Sequence, residues 1–212
     1  MNKPDFQKLL PAWLFDFLKG IERQIQKRDW EKKGKPLPPV HPIKQDVVTY
    51  FQKQTGYKVL IETGTYKGQM IYAQHKRFKT IHSVELAEHY YNSAVERFRK
   101  FPHIKLWLGD SSDVLPTILA DLNESAVFWL DGHYSGGLTA GGEPGQKQCP
   151  IYNELEAIFS HDKKHCILID DARCFVGKDD YPSIDELKAF LDSKNRDYSF
   201  DNCRDIIRIN ML

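Results

Sequence analysis

Lys58-Val59-Leu60-Ile61-Glu62-Thr63-Gly64-Thr65-Tyr66-Lys67-Gly68 is the stretch from which the fold of this chain follows. An apolar run ends in a carboxylate, passes through two glycines and enters a segment whose Met70, Ile71 and Ala73 fall at helical spacing. That order reads as a strand, a tight turn and the first turn of a helix. Glycines at such a turn let a ligand approach the backbone, and the helix start offers free N–H groups. Many α/β proteins begin this way, so the stretch alone leaves the ligand open. A second acid narrows the choice. Glu85 closes the next apolar run, Thr80-Ile81-His82-Ser83-Val84. An acid about 20 residues beyond the glycine loop is the usual partner of ribose hydroxyls. The pair points to a nucleoside-containing cofactor.

Outward from this stretch the alternation is regular. Strands are expected near 58–62, 79–84, 103–108, 125–131 and 164–170. Helices are expected near 67–76, 87–100, 112–120, 151–160 and 182–192, with another over 43–54 leading into the first strand. Repeated β-then-α units of this length predict an α/β fold, a parallel sheet covered on both faces. The tail differs: two short runs, 198–200 and 205–210, flank Asp201-Asn202-Cys203-Arg204 and read as a closing antiparallel hairpin.

Residues 1–42 stand apart from a main domain over 43–212. Phe6, Leu10, Trp13, Phe17 and Ile21 recur at helical intervals, which predicts a helix packed on the domain, with dimerisation or a cover over the substrate as alternatives. A charged connector over 31–42, with Pro36, Pro38, Pro39 and Pro42, is too stiff and polar for a core element.

Composition excludes several function classes. A formal net charge of +1 gives no global field for nucleic acid or an anionic membrane. No apolar run approaches the roughly 20 residues of a membrane span. Asp5 and Asp16 within the apolar N-terminal patch, and the lack of a small-residue cleavage site, argue against a signal peptide. Cys149, Cys166, Cys174 and Cys203 show no metal-ligand spacing, so free thiols in a reducing, cytoplasmic setting are expected.

In open parallel sheets ligands sit beyond the carboxyl ends of the strands. Every predicted strand tip here carries an acid: Glu62, Glu85, the run Gly109-Asp110-Ser111-Ser112-Asp113, Asp131, and the pair Asp170-Asp171. Each has a capping alternative, because Asp commonly starts the following helix. Asp131, Asp170 and Asp171 come from adjoining strand ends, and carboxylates that close repel unless a proton or a cation intervenes. Mg²⁺ suits a few hard oxygen ligands of this kind. Arg173 is the alternative neutraliser. A glycine-rich loop over 132–150 holds His133, Tyr134, Ser135, Thr139 and Lys147. Loops longer than about 12–15 residues are usually functional or disordered, so a substrate lid is expected, with a solvated connector as the alternative. His133 has the near-neutral pKa a general base needs.

Taken together, these motifs resemble class I S-adenosylmethionine-dependent methyltransferases, in particular metal-dependent O-methyltransferases of the catechol O-methyltransferase and macrolide-sugar types. Glu62-Thr63-Gly64-Thr65-Tyr66-Lys67-Gly68 is similar to their E-x-G-x-Y-x-G loop. The resemblance covers roughly 40–175 and implies a Rossmann-like methyltransferase sheet, mostly parallel and seven-stranded, with a C-terminal antiparallel hairpin strand. It implies a cofactor site at Glu62, Thr63, Gly64, Tyr66, Gly68, Glu85, Asp110, Ser111, Ser112 and Asp131. It implies a Mg²⁺ site at Asp131, Asp170 and Asp171, and a small-molecule hydroxyl, sugar or phenol, as methyl acceptor. Two positions depart from the pattern. Tyr134 stands where the catechol enzymes place a lysine base, and Asp171 stands where they place an asparagine ligand. Asp131, His133 and Tyr134 are therefore the catalytic candidates. A non-catalytic cofactor-binding module is the first alternative. A nicotinamide-dependent oxidoreductase is the second, although Tyr66 and Lys67 break the G-x-G-x-x-G pattern it requires. No Asn-Pro-Pro-aromatic motif and no basic, aromatic-interleaved stripe supports nucleic-acid methylation.

Overall fold

The computed structural model of the chain describes residues 11–132, 149–178 and 180–212. Two helices precede the sheet, α1 (Ala12–Lys32) and α2 (His41–Thr55). Strands and helices then alternate: β1 (Val59–Thr63), α3 (Gln69–Gln74), β2 (Thr80–Glu85), α4 (Glu88–Phe98), β3 (Ile104–Leu108), α5 (Ser111–Ala120), β4 (Ala126–Leu130), α6 (Ile151–Ser160), β5 (Cys166–Ile169) and α7 (Ile184–Asp192). The chain closes with β6 (Tyr198–Cys203) and β7 (Ile206–Met211).

The strands form one seven-stranded sheet in the order β3-β2-β1-β4-β5-β7-β6. Only β7 and β6 run antiparallel to their neighbours, as expected for a tail that folds back as a hairpin. The central strands β1, β4 and β5 are buried on both faces, which is why they read as continuous apolar runs, while the edge strands β3 and β6 are partly exposed. Ile61, Phe128, Leu130 and Ile167 pack with Leu115 of α5, Leu155 of α6 and Leu187 of α7. Leu60, Val127, Trp129 and Leu168 pack with Val48 of α2, Met70 of α3 and Phe98 of α4. Phe128 and Trp129 are fully buried neighbours on opposite faces, so the two cores meet through one strand.

Three boundaries differ from the sequence reading. Glu31 and Lys32 extend α1 rather than opening the connector. Pro42 lies in the first turn of α2, where its missing N–H has no intrahelical partner to lose. The β6–β7 turn is Arg204-Asp205, both at positive φ, two residues later than the polar cluster at 201–204 suggests. Helix α1 also packs differently. Among the described side chains, Arg23 and Lys27 reach Asp46 of α2 and Asp16 accepts from Tyr72 of α3 at 2.5 Å, while Trp30 near the end of the helix is buried. Phe17, Leu18, Ile21 and Ile25 face outward instead of inward. Phe6, Leu10 and the side chain of Trp13 lie outside the described residues. The four cysteines are free, as expected, with Cys149 and Cys166 buried and Cys203 exposed.

Candidate active site at the sheet's carboxyl rim

Strand order fixes where a ligand can sit. The chain runs from β1 outward to β2 and β3, then returns to lay β4 on the other side of β1. The crevice above β1 and β4 is the topological switch point. Backbone bonds carry the register past the strand ends: Gly109 N–H donates to Glu85 O at 2.9 Å, Gly64 N–H to Val84 O at 2.9 Å, Asp131 N–H to Thr63 O at 3.0 Å and Asp170 N–H to Leu130 O at 3.0 Å. The five acidic tips therefore stand in one row, each about 4.8 Å from the next strand.

On the β1–β2 side the row forms a cradle. Gly64, Tyr66 and Gly68 all take positive φ, which folds the loop tightly over the end of β1. A side chain at Gly64 would come within 2.4 Å of Asp131 O, so only glycine lets β1 and β4 meet there. Glu85 anchors the loop by accepting from Tyr66 N–H at 2.7 Å and from Ala87 N–H at 2.8 Å. An ionised carboxylate has about four lone-pair sites, so two remain for hydroxyl donors of a ligand. Glu62 is buried on the opposite face of β1 from Thr63 and accepts from Ser83 Oγ at 2.6 Å. Burial, with Glu85 adding to it against the Ser83 bond, pushes its pKa up to about 8. Asp110 caps α5 by accepting from Ser112 N–H at 2.8 Å, the capping alternative realised at the third strand tip. Ser111 beside it is buried.

On the β4–β5 side the acids converge, and the structure adds a residue that sequence spacing does not reveal. Lys44, in the first turn of α2, forms an ion pair with Asp170 and lies 3.4 Å from Asp171 Oδ1. It is 126 positions from Asp170 in the chain. It reaches the rim because α2 ends just before β1 begins, so its N-terminus stands at the carboxyl end of the sheet. Lys44 lies one turn ahead of the fully buried Val48, which turns it toward the strands. Arg173, in a single 3-10 turn (Ala172–Cys174), bonds Asp171 at 2.8 Å and also Asp205 of the β6–β7 turn. Burial and the neighbouring carboxylates of Asp170 and Asp171, against Lys44, hold the Asp131 carboxyl well above its ordinary range. Burial opposes the charge on Lys44, but Asp170, Asp131 and Asp171 outweigh it and its pKa is raised.

These contacts bear on the expected Mg²⁺ site. Asp131, Asp170 and Asp171 do meet at adjoining strand ends, yet two of the three are already bonded to protein cations. Among the described residues no group of His, Cys, Asp and Glu is arranged to hold a metal ion. Arg173, the neutraliser expected from sequence, is joined by Lys44, which is remote in the chain. The donor set does not fit a dedicated three-carboxylate metal cage.

Glu154 is a second residue that the sequence does not single out. It is fully buried in the first turn of α6, and among the described residues neither carboxylate oxygen has a partner in hydrogen-bonding geometry. The hydroxyl of Thr63 is likewise buried and without a partner among the described residues, and Gly132 lies against both side chains. Burial pushes Glu154 up to about 7, opposed by the nearby Ser111 and Thr63 hydroxyls. His133, Tyr134 and the rest of the loop from 133 to 148 lie outside the described residues. A cavity of about 580 Å³ opens on the other side of α2, between α1, α2 and α3, and borders the loop at Lys67 and Gln69. Its charges are largely paired among themselves, Lys76 with Asp16 at 2.7 Å and Arg23 with Asp46, so the rim is the better site.

The sequence matches no protein-family model and no curated relative. Its fold is similar to those of solved methyltransferases. An O-methyltransferase from Bacillus cereus in complex with SAH superposes with a TM-score of 0.59 at 12% identity, covering 90% of each chain. The SAH-bound methyltransferase PaMTH1 of Podospora anserina gives 0.58 at 15% identity, covering 95% of this chain and 97% of that one. The O-methyltransferase TomG of Streptomyces achromogenes, involved in tomaymycin synthesis and bound to SAM, gives 0.57 at 12% identity over 90% and 88%. The chain thus has the Rossmann-like methyltransferase fold that its motifs predict.

Proposed function

We propose that this protein is an S-adenosylmethionine-dependent O-methyltransferase acting on a hydroxyl of a small molecule, a sugar or a phenol. One observation carries the reading: a glycine loop locked by Glu85 and a convergent acid cluster face each other across the β1–β4 switch point. S-adenosylmethionine supplies a methyl group on an electrophilic sulfonium sulfur. The β1–β2 side offers what such a ligand requires. Glu85 keeps lone pairs for the ribose, Ser111 and Ser112 border the position proposed for adenine, and the Gly64–Gly68 loop brings its backbone close to the amino-acid end. The β4–β5 side would hold the acceptor. As the oxygen gains the methyl group its proton must leave, and we assign that proton to His133, with Tyr134 and Asp131 as the other candidates. A phenol with a pKa near 10 is a poor base at neutral pH, which favours His133 over Tyr134. Of the two counter-ions open to the cluster, Mg²⁺ and Lys44, the geometry favours Lys44.

The test is methyl transfer itself. A panel of sugar and phenol acceptors should yield methylated product and S-adenosylhomocysteine from wild-type protein. In single turnover His133→Asn should slow transfer by roughly 10²–10⁴-fold, with cofactor affinity unchanged. A near-wild-type rate for His133→Asn, with loss in Tyr134→Phe, reassigns the base to Tyr134. Cofactor binding without transfer to any acceptor favours the non-catalytic module. For the outward stripe Phe17, Ile21 and Ile25 of α1 we propose pairing with a second copy, which sedimentation of the full chain would read directly.

A further inference from the structure

We propose that Lys44 is the resident cation of the rim, its ammonium filling the place among Asp131, Asp170 and Asp171 that a divalent metal would otherwise take. Three observations converge on it. The ammonium contacts one carboxylate from each of two consecutive positions at the end of β5, the ligands that sequence alone assigns to a metal. A Mg²⁺ ion held at about 2.0–2.1 Å from those oxygens would overlap the volume of Nζ and meet its like charge. The placement is built into the fold rather than left to a surface side chain. Ile43, Val47 and Val48 seat α2 on the sheet, Asp46 ties its outer face to Arg23 and Lys27, and Lys44 is only 15% exposed.

An ammonium carries three donors, and among the described residues Asp170 and Asp171 take two. The third is free for an acceptor oxygen, where a fixed positive charge favours the anion that forms as the proton leaves. Lys44 thus positions the cluster and supplies its charge, while Arg173 fixes Asp171 from the other side through Asp205. Only the consequence, methyl transfer that needs no divalent ion, rests on the function proposed above. The presence of the ammonium in place of a metal does not.

The experiment titrates Mn²⁺ into full-length wild-type protein and into Lys44→Met, reading bound Mn²⁺ by paramagnetic resonance and thermal stability in parallel. Wild-type protein should show no site at the cluster. Lys44→Met, which removes the ammonium from Asp170 and Asp171 while Arg173 still holds Asp171, should bind Mn²⁺ at least about tenfold more tightly and gain thermal stability from it. Asp171→Asn in the Lys44→Met background should abolish that gain, which a general loosening of the fold would not do. Tight Mn²⁺ binding by the wild-type protein overturns the proposal, and so does a Lys44→Met variant that binds no better than wild type. Should Lys44→Met not fold, the wild-type protein still decides. In ¹⁵N-lysine spectra the Lys44 ammonium should stay protected from exchange and unbroadened as Mn²⁺ is added. Selective broadening of that signal contradicts the assignment. S-adenosylhomocysteine binding by both proteins, measured alongside, reports separately on the methyltransferase reading.

Discussion

Glu62 shows at the scale of one residue how the cradle is charged. Its carboxyl sits inside the sheet with one hydroxyl partner, and burial raises its pKa from 4.5 to about 8. The folded protein therefore holds a proton that the unfolded chain releases above about pH 4.5. The stability this contributes is fully present below that pH and is lost as pH rises toward 8. A tenfold change in a protonation equilibrium corresponds to about 1.4 kcal/mol, so the decline amounts to a few kcal/mol. Glu62→Gln keeps the shape of the neutral acid and cannot ionise. Melting temperatures compared between about pH 5 and about pH 9 should fall less for Glu62→Gln than for the wild-type protein. Parallel declines in the two proteins would show that Glu62 is ionised in the fold. Glu62 is visible in the sequence as an acid closing an apolar run. Its neutral state is not, because that follows from burial beside Ser83 and Glu85, an arrangement that only the assembled sheet creates. Lys44 is hidden for a related reason: nothing in local spacing links a helix before the first motif to an acid pair 126 positions on.

At the scale of elements, the glycine loop is both turn and joint. Gly64 holds a positive φ of 87° while a side chain there would meet the backbone of Asp131 at 2.4 Å. Gly56, at the end of α2, has a φ of 71° and open space, with nothing within 4 Å of the point a Cβ would occupy. Alanine at Gly56 should cost only the conformational penalty of about 1–2 kcal/mol. Alanine at Gly64 must in addition push β1 from β4, so a loss of about 3 kcal/mol or more and a collapse of cofactor affinity are expected. Chemical denaturation of the two variants checks this, and equal losses would mean that the close approach is not a constraint. The elements themselves are legible because the period of apolar residues switches cleanly between strand and helix. The closing turn is harder to place because Asp201-Asn202 looks like turn chemistry, yet both residues pair with β7 in β6 at the sheet edge and leave Arg204-Asp205 to reverse the chain. Helix α1 is evident from its spacing, but its apolar stripe faces outward because Arg23 and Lys27 bind Asp46 on the inner side.

Across the whole molecule, the strand order places the row of acids along one rim, where the proposed cofactor half and the proposed acceptor half adjoin. Topology does this before any individual side chain is chosen, which explains how the fold is readable from strand tips alone while the partners of those tips are not. Methyl transfer depends first on the proposed cofactor half. Calorimetric titration of S-adenosylhomocysteine into the wild-type protein and into Glu85→Ala tests it most directly. Glu85 anchors Tyr66 and Ala87 and keeps lone pairs for the ribose of the proposed cofactor, and hydrogen bonds to a charged group contribute about 1.5–3 kcal/mol each. Saturable one-to-one binding by the wild-type protein, weakened at least about tenfold in Glu85→Ala, is the predicted result. No binding by the folded wild-type protein at high cofactor concentration, or tighter binding of a nicotinamide dinucleotide, would contradict it.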